Sequence, residues 1–221
     1  MIQNLPFVGI IIIGITALIS FKGFKDDGFF NSYSFQIDKI RSGSYLRLLS
    51  SGFLHVGISH LLLNMITLYF FIGIVVYALG TPSFLVLYFV SLIAGNLFGY
   101  GYHYNDQYYT AVGASGAVTG VLFSALLLYP QIELYLFFIP IPIPGYLFGI
   151  GYILYTLYGM KSQNDSIGHT AHFGGAIGGI FITLLLKPTV LEDTTLMLSV
   201  LSVATVAAGI MLYRQQLKKK N

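Results

Sequence analysis

Long apolar runs, each closed by a polar or Gly/Pro cluster, divide the sequence into seven candidate membrane spans. The first covers Pro6 to Phe21, and a polar segment follows from Lys22 to about Val56. The second runs from about Gly57 to Leu79 and stops at Gly80-Thr81-Pro82, a breaker cluster. The third covers Ser83 to Tyr100, followed by a Tyr-rich polar loop from Gly101 to Ala111. The fourth covers Val112 to Tyr129, and Pro130 with the Pro140, Pro142, Pro144 ladder marks the next loop. The fifth is Gly145 to Met160, the loop Lys161 to Ser166 follows, and the sixth is Ile167 to Leu186. The seventh is about Thr194 to Tyr213, and a basic tail, 214–221, ends the chain. The pattern predicts an all-α, polytopic membrane protein forming a single membrane domain over 1–221.

Alternation of direction from span to span gives this list a consequence. Spans two, four and six all begin on the same side of the bilayer. Near those starts lie His55, His60 and Asn64, then Ser115, then His169 and His172, while His103 sits in a loop on that side. All five His residues therefore share one face. Polar groups within a membrane are costly and mark function, and these converge at similar depth.

Composition agrees and narrows the class. Of 221 residues, 56% are hydrophobic and 9% charged, far from the roughly 25% charged residues of a soluble domain. Seventeen Tyr and 18 Phe exclude a disordered chain. Seven spans of about 20 residues use roughly 140 positions and leave about 80 for loops, too few for a second folded unit. A net charge of +3, gathered in clusters, excludes nucleic acid as a partner. With no Cys there is neither a disulfide nor a thiolate metal site. The run from Leu5 to Phe21 has no basic residues before it and is expected to be a retained helix.

The converging residues suit acyl transfer. A serine hydroxyl needs a base to take its proton. Ser115, within Gly113-Ala114-Ser115-Gly116, starts a helix whose unpaired N–H groups suit an oxyanion. His169 and His172 are candidate bases, and His172 is the better placed because Gly175, Ala176 and Gly179 share its face. Gly116 and Gly120 on span four, with Gly174 and Gly178 on span six, allow the close helix approach that such a pair requires. His60 and Asn64, four apart, share one face of span two and offer donors for an oxyanion. Taken singly, each feature has a plainer explanation: Gly-Ala-Ser-Gly and the glycine pairs as helix packing, a membrane His or Asn64 as a structural strut. The conjunction is the signal.

These residues resemble the rhomboid family of intramembrane serine proteases. The stretches are Arg47-x7-His55-x4-His60-x3-Asn64, Gly113-Ala114-Ser115-Gly116, and Ala171-His172-Phe173-Gly174-Gly175-Ala176-Ile177-Gly178-Gly179, in family order from about residue 40 to 186. The resemblance implies a six-helix rhomboid-like bundle, about 6–186, plus one additional C-terminal transmembrane helix, about 194–213. It implies Ser115 as nucleophile and His172 as general base of a dyad without an acidic third member. His60, Asn64 and the Ser115 backbone N–H would form the oxyanion hole. His55 would be a structural hydrogen-bonding residue, with Gly113, Gly116, Gly175 and Gly179 supporting the site. No cofactor or metal is implied. The substrate would be the transmembrane helix of another membrane protein, met within the lipid bilayer.

Three departures from the family pattern stand out. Leu46 precedes Arg47 where relatives carry Trp, and a Glu common near the far end of span two is Tyr77. The aromatic that stacks on the base one turn after the nucleophile is Thr119, which leaves the orientation of His172 to Thr119 or to another aromatic. None removes a dyad member. Family orientation places the site at the outer face of a prokaryotic cell membrane, although the first loop and tail then put most Lys and Arg outside, against the positive-inside tendency. Two alternatives remain: a catalytically inactive rhomboid-like protein that binds membrane helices, and a His-rich metal transporter. The absence of Asp or Glu within any apolar span counts against the transporter.

Overall fold

The computed structural model describes residues 5–135, 141–162 and 167–192, with further scattered positions between 194 and 210. The first apolar run forms helix α1, Phe7–Gly23. The polar segment after it folds into short elements: α2 (Asp27–Tyr33), capped by the Asp26 carboxylate on the Phe29 N–H, strand β1 (Phe35–Gln36), α3 (Ile37–Arg41), α4 (Arg47–Ser50), and a 3-10 turn at Ser51–Phe53. Arg47 gathers this segment, its Nη1 donating to the carbonyls of Asn31 at 2.8 Å and Ser34 at 2.7 Å. Phe35, Ile37 and Ile40 form a small buried core of their own, packed by Tyr109 and Ala111.

Helix α5 (Ile58–Leu79) ends at Gly80, whose φ of +80° reverses the chain directly into α6 (Thr81–Tyr102). The Gly-Thr-Pro cluster is thus a corner rather than a loop. Thr81 and Pro82 already belong to α6, because proline is tolerated in a first turn whose N–H groups have no ladder partner. Strand β2 (Thr110–Ala111) then pairs antiparallel with β1, Phe35 opposite Ala111. Asn96 of α6 donates to the Leu48 carbonyl at 2.7 Å and to Ser51 Oγ at 3.2 Å, fixing the 3-10 turn to the helix bundle.

Helix α7, Ser115–Leu128, has 14 residues. It is shorter than the expected span because residues 112–114 form a turn into it, with Gly113 at φ +136°, and Tyr129 lies beyond its end. At 1.5 Å per residue it is about 21 Å long, well short of the ~30 Å hydrocarbon core. Every residue from Gly116 to Leu127 is buried, as an all-round apolar helix must be. A small hairpin, β3 (Glu133–Leu134) with β4 (Ile143–Pro144), leads to α8 (Gly145–Ser162). Helix α9, His169–Leu186, completes the central group, followed by a 3-10 turn at Pro188–Val190. The described positions between Leu191 and Ile210 are helical. Much of the expected seventh span, the basic tail, and parts of the loops at 136–140 and 163–166 lie outside the described residues.

Glycines set the spacing of the centre. A Cβ at Gly174 would lie 2.9 Å from Gly95 Cα, and one at Gly178 would lie 3.0 Å from Ser91 Cα, so that pair faces α6 and not the fourth span as expected. A Cβ at Gly175 would lie 2.8 Å from Gly116 Cα, and one at Gly179 would lie 2.5 Å from Gly120 Cα, so the alternate pair faces α7. Two glycine rows on α9 thus bring two neighbouring backbones into contact at once. At the buried end of α7 and α9 the Thr183 hydroxyl bridges Ser124 Oγ and the Gly179 carbonyl, each at 2.7 Å.

The chain is mostly helical, and among the described residues three helices, α5, α6 and α9, are long and apolar enough to cross a membrane. Helices α1 and α7 are apolar but shorter. Helix α8 has 18 residues, yet its repeated Gly and Tyr keep it outside that group.

Candidate active site

The segment entering α7 is held by two backbone donors. The Gly113 N–H donates to the Ser51 carbonyl at 3.0 Å, and the Ala114 N–H donates to His55 Nε2 at 3.4 Å. Gly113 has φ +136°, a conformation that side chains rarely adopt. Its missing side chain also leaves room: a Cβ there would lie 2.7 Å from His60 Cε1, 3.0 Å from His60 Nε2 and 3.7 Å from Ser115 Oγ. The Ser115 hydroxyl and the His60 ring therefore flank one point beside the Gly113 backbone.

His55 is fully buried between α1 and this segment. The Ser20 hydroxyl donates to the Phe53 carbonyl at 2.8 Å, so its oxygen accepts from His55 Nδ1, also at 2.8 Å. With Nδ1 carrying the proton, Nε2 is the acceptor that the Ala114 N–H needs. The imidazole is neutral in this arrangement. Burial first, and the nearby His60 second, push its pKa from 6.5 down to about 3. The His55 and His60 rings meet edge to face, 4.9 Å between centroids.

His60 lies in the first turn of α5 and is half-buried. Asn64, one turn on, is buried and donates one amide hydrogen to the His60 carbonyl at 3.0 Å. The backbone ladder of α7 opens with the Val118 N–H donating to the Ala114 carbonyl at 2.9 Å. The Ser115 N–H precedes that ladder and is one of the donors a helix start leaves over. Ser115 is half-buried.

The starts of α7 and α9 meet through backbone. The Ala171 carbonyl oxygen sits in a notch, 2.5 Å from where a Gly95 Cβ would be and 3.3 Å from where a Gly116 Cβ would be. Ala171 precedes His172 and Gly116 follows Ser115, so this contact carries the two side chains to the same level. His172 is half-buried, and its Nδ1 lies 3.0 Å from the Tyr152 hydroxyl of α8. That hydroxyl is 3.3 Å from Thr119 Oγ1, one turn past Ser115. His169 is buried and turned elsewhere. Its ring lies against Gly159, meets Tyr155 edge to face at 5.1 Å, and stands 6.3 Å from the His172 ring. His103 stacks on Tyr109, 3.5 Å between centroids, at the rim. Among the described residues no group of three or more His, Asp or Glu side chains is placed to hold a metal ion.

Ser115, His60, His55 and Gly113 lie together at the entry to α7, Asn64 follows His60 by one turn of α5, and His172 stands on the adjoining helix start. Two participants were not anticipated by residue. Ser20 of α1 fixes the His55 tautomer, and Tyr152 of α8 reaches His172. Tyr152 carried a signal, a hydroxyl-bearing aromatic in the middle of an apolar span.

The relatives are consistent with one another. RHOMBOID-like protein 12, mitochondrial, of Arabidopsis thaliana is 30% identical over 184 residues, 76% of this chain and 54% of that protein. Rhomboid protein 1, mitochondrial, of Saccharomyces cerevisiae is 31% identical over 140 residues, 62% of this chain and 40% of that protein. Rhomboid-like protein 16, chloroplastic, of Arabidopsis thaliana is 26% identical over 162 residues, 66% of this chain and 48% of that protein. The matched region spans about half the length of these relatives or less. Their mitochondrial and chloroplastic names overturn the expected prokaryotic cell membrane with the site at its outer face. Bilayer physics and site motifs are common to all these membranes, so the sequence pattern had no means of separating them. The family model described as Rhomboid domain matches residues 42–189, which takes in every residue of the candidate site from Arg47 to Gly179. On that match and the relatives together, the chain belongs to the rhomboid family.

Proposed function

We propose that this protein is an intramembrane serine endopeptidase that cleaves transmembrane segments of other membrane proteins. The observation that carries the reading is the backbone contact of Gly116 with Ala171, which sets the Ser115 and His172 helix starts side by side. Ser115 attacks the scissile carbonyl and His172 takes its proton as general base. The oxyanion is held by His60, Asn64 and the Ser115 N–H. His172 then protonates the leaving amine, and water from the open side hydrolyses the acyl-enzyme. A substrate helix hides its carbonyls in internal hydrogen bonds and must unwind locally before attack. The bare Gly113 backbone beside Ser115 favours a small residue just before the cut.

The bundle we infer is six helices, α1 and α5 to α9, with the C-terminal helix as a seventh. A helix α7 of 14 residues that begins at Ser115 supports a site set below the membrane surface, reached by water from the loop side. The relatives' names favour an organellar membrane of the mitochondrial or chloroplast kind. The experiment is fluorophosphonate labelling with cleavage of a single-span reporter protein in detergent or liposomes. Label and cleavage are expected in wild type and lost in Ser115→Ala, with cleavage also lost in His172→Ala. Unchanged cleavage in both variants refutes the reading. Reporter binding without label in wild type identifies a non-catalytic helix-binding relative instead.

A further inference from the structure

The family pattern places an aromatic one turn after the nucleophile, and here that position is Thr119, too small to cover an imidazole. The structure fills the gap from another helix. Tyr152 of α8 stands beside His172 with its ring within 25° of the imidazole plane and centroids 6.1 Å apart. At that separation, with Tyr152 Oη 3.0 Å from Nδ1, the two rings meet through their edges at the hydroxyl rather than face on face. The tyrosine is itself held: Phe123 of α7 packs on its ring at 5.8 Å, Phe148 at 6.0 Å, and Thr119 Oγ1 lies 3.3 Å from its hydroxyl.

We infer that Tyr152 and Thr119 form a two-step hydrogen-bond relay that sets the tautomer and rotation of His172, taking the place of both the missing aromatic and an acidic third member. This rests on the protease reading above. A neutral imidazole carries one proton. For Nε2 to accept the Ser115 proton, that proton must sit on Nδ1, and Nδ1–H needs an acceptor. The Tyr152 oxygen is that acceptor, and its own hydrogen goes on to Thr119 Oγ1. No proton is transferred along the relay; it holds a preference. Thr119 is 3% exposed and four residues from Ser115, so the relay is anchored to the helix that bears the nucleophile. Base and nucleophile are thereby referred to one rigid element. Among the described residues, the titratable groups seen against His172 include Tyr152 on α8 and His169 one turn back on α9, with Tyr155 against His169. Tyr152 and Thr119 are positioning residues, since neither touches the reacting atoms.

The test separates this inference from the protease reading. In ¹⁵N-histidine-labelled protein in micelles, with His172 assigned by its loss in His172→Gln, the wild type is expected to carry the Nδ1–H tautomer. Tyr152→Phe, which keeps the ring and removes the hydroxyl, is expected to shift that tautomer. In the cleavage assay, Tyr152→Phe lowers kcat about five- to tenfold with KM unchanged, the effect of one neutral hydrogen bond. Thr119→Val gives a smaller fall in the same direction, Thr119→Ser restores the rate, and the double variant is no worse than Tyr152→Phe. An unchanged His172 tautomer in Tyr152→Phe, or an unchanged kcat, overturns the inference. Failure of the protease reading shows separately, as absence of Ser115 labelling in wild type.

Discussion

A methyl group at Gly175 tests whether the candidate site is built by backbone contact. The added Cβ would lie 2.7 Å from the Gly116 carbonyl carbon and 2.8 Å from its Cα, with the carbonyl oxygen nearer still. Ordinary contact begins near 3.4 Å, so the carbon atoms alone fall short by about 0.6 to 0.7 Å. Both groups are helical backbone, and neither can rotate away as a side chain would. Helices α7 and α9 must therefore part, by about 1 Å once the oxygen is included. Overpacking of this kind costs about 1–3 kcal/mol, or a fall in Tm of about 3–10 °C for a chain of this size. The same displacement moves His172 away from Ser115, and a 1 Å misplacement of reacting groups costs on the order of 100-fold in rate. Gly175→Ala is therefore expected to lose stability in detergent and cleavage activity together. Gly14→Ala on α1 is the control, since a Cβ there meets nothing within 4 Å; its Tm and rate should match wild type. A Gly175→Ala protein with wild-type Tm and rate would refute the argument.

Two further outcomes follow from the first-loop side of the site. His55 has its folded pKa lowered to about 3 against an ordinary 6.5, so the unfolded chain binds the extra proton first as pH falls. Its contribution to stability is fully present above pH 6.5 and is lost progressively from 6.5 towards 3. Tm measured between neutral and mildly acidic pH should fall in wild type, whereas His55→Gln should start lower and slope less; equal slopes would remove His55 as the cause. Arg47→Ala releases the Asn31 and Ser34 carbonyls, and is expected to cost about 1–2 kcal/mol of stability. Proteolysis of the 24–50 segment in native protein should speed up accordingly, and an unaltered cleavage rate there would show that the carbonyls hold by other means.

Much of the site was legible because its members obey rules that act along the chain. Helical spacing puts His60 and Asn64 on one face, parity puts spans two, four and six at one surface, and the glycine rows announce close packing. Spacing shows that α9 carries two glycine rows but not which neighbour each row meets: Gly174 and Gly178, expected to allow the approach to span four, face α6, and Gly175 and Gly179 face α7 instead. What stayed hidden are partners far apart in sequence with no periodic signature. The Ser20–His55 bond spans 35 positions, the Asn96–Ser51 bond 45 and the Tyr152–Thr119 contact 33. A lone Ser or Tyr in an apolar run reveals that it needs a partner but not which one. Span lengths fared differently: the length of α7 was overestimated because residues 112–114 are apolar enough to read as helix while Gly113 requires a turn.

Position and rotation of His172, the proposed base, are controlled by different physics. Between helices in lipid there is no hydrophobic drive of the kind that packs a soluble core, so close backbone contact through small residues must hold α6, α7 and α9 together. The Gly116–Ala171 notch is one residue from Ser115 on one side and from His172 on the other. The distance between the members of the proposed dyad is therefore inherited from the packing, and stability and rate are expected to rise and fall together along that interface. The turn of the imidazole about its own bonds is not fixed by backbone contact. It depends on a hydroxyl from α8, a helix outside the glycine-packed trio. A variant such as Gly175→Ala should lower Tm and kcat in parallel. Tyr152→Phe should lower kcat at nearly constant Tm, because a ring that still packs on Phe123 and Phe148 keeps α8 in place. A plot of rate against Tm over both classes then has two branches, and their separation measures how much of the catalytic geometry lies outside the fold's own packing.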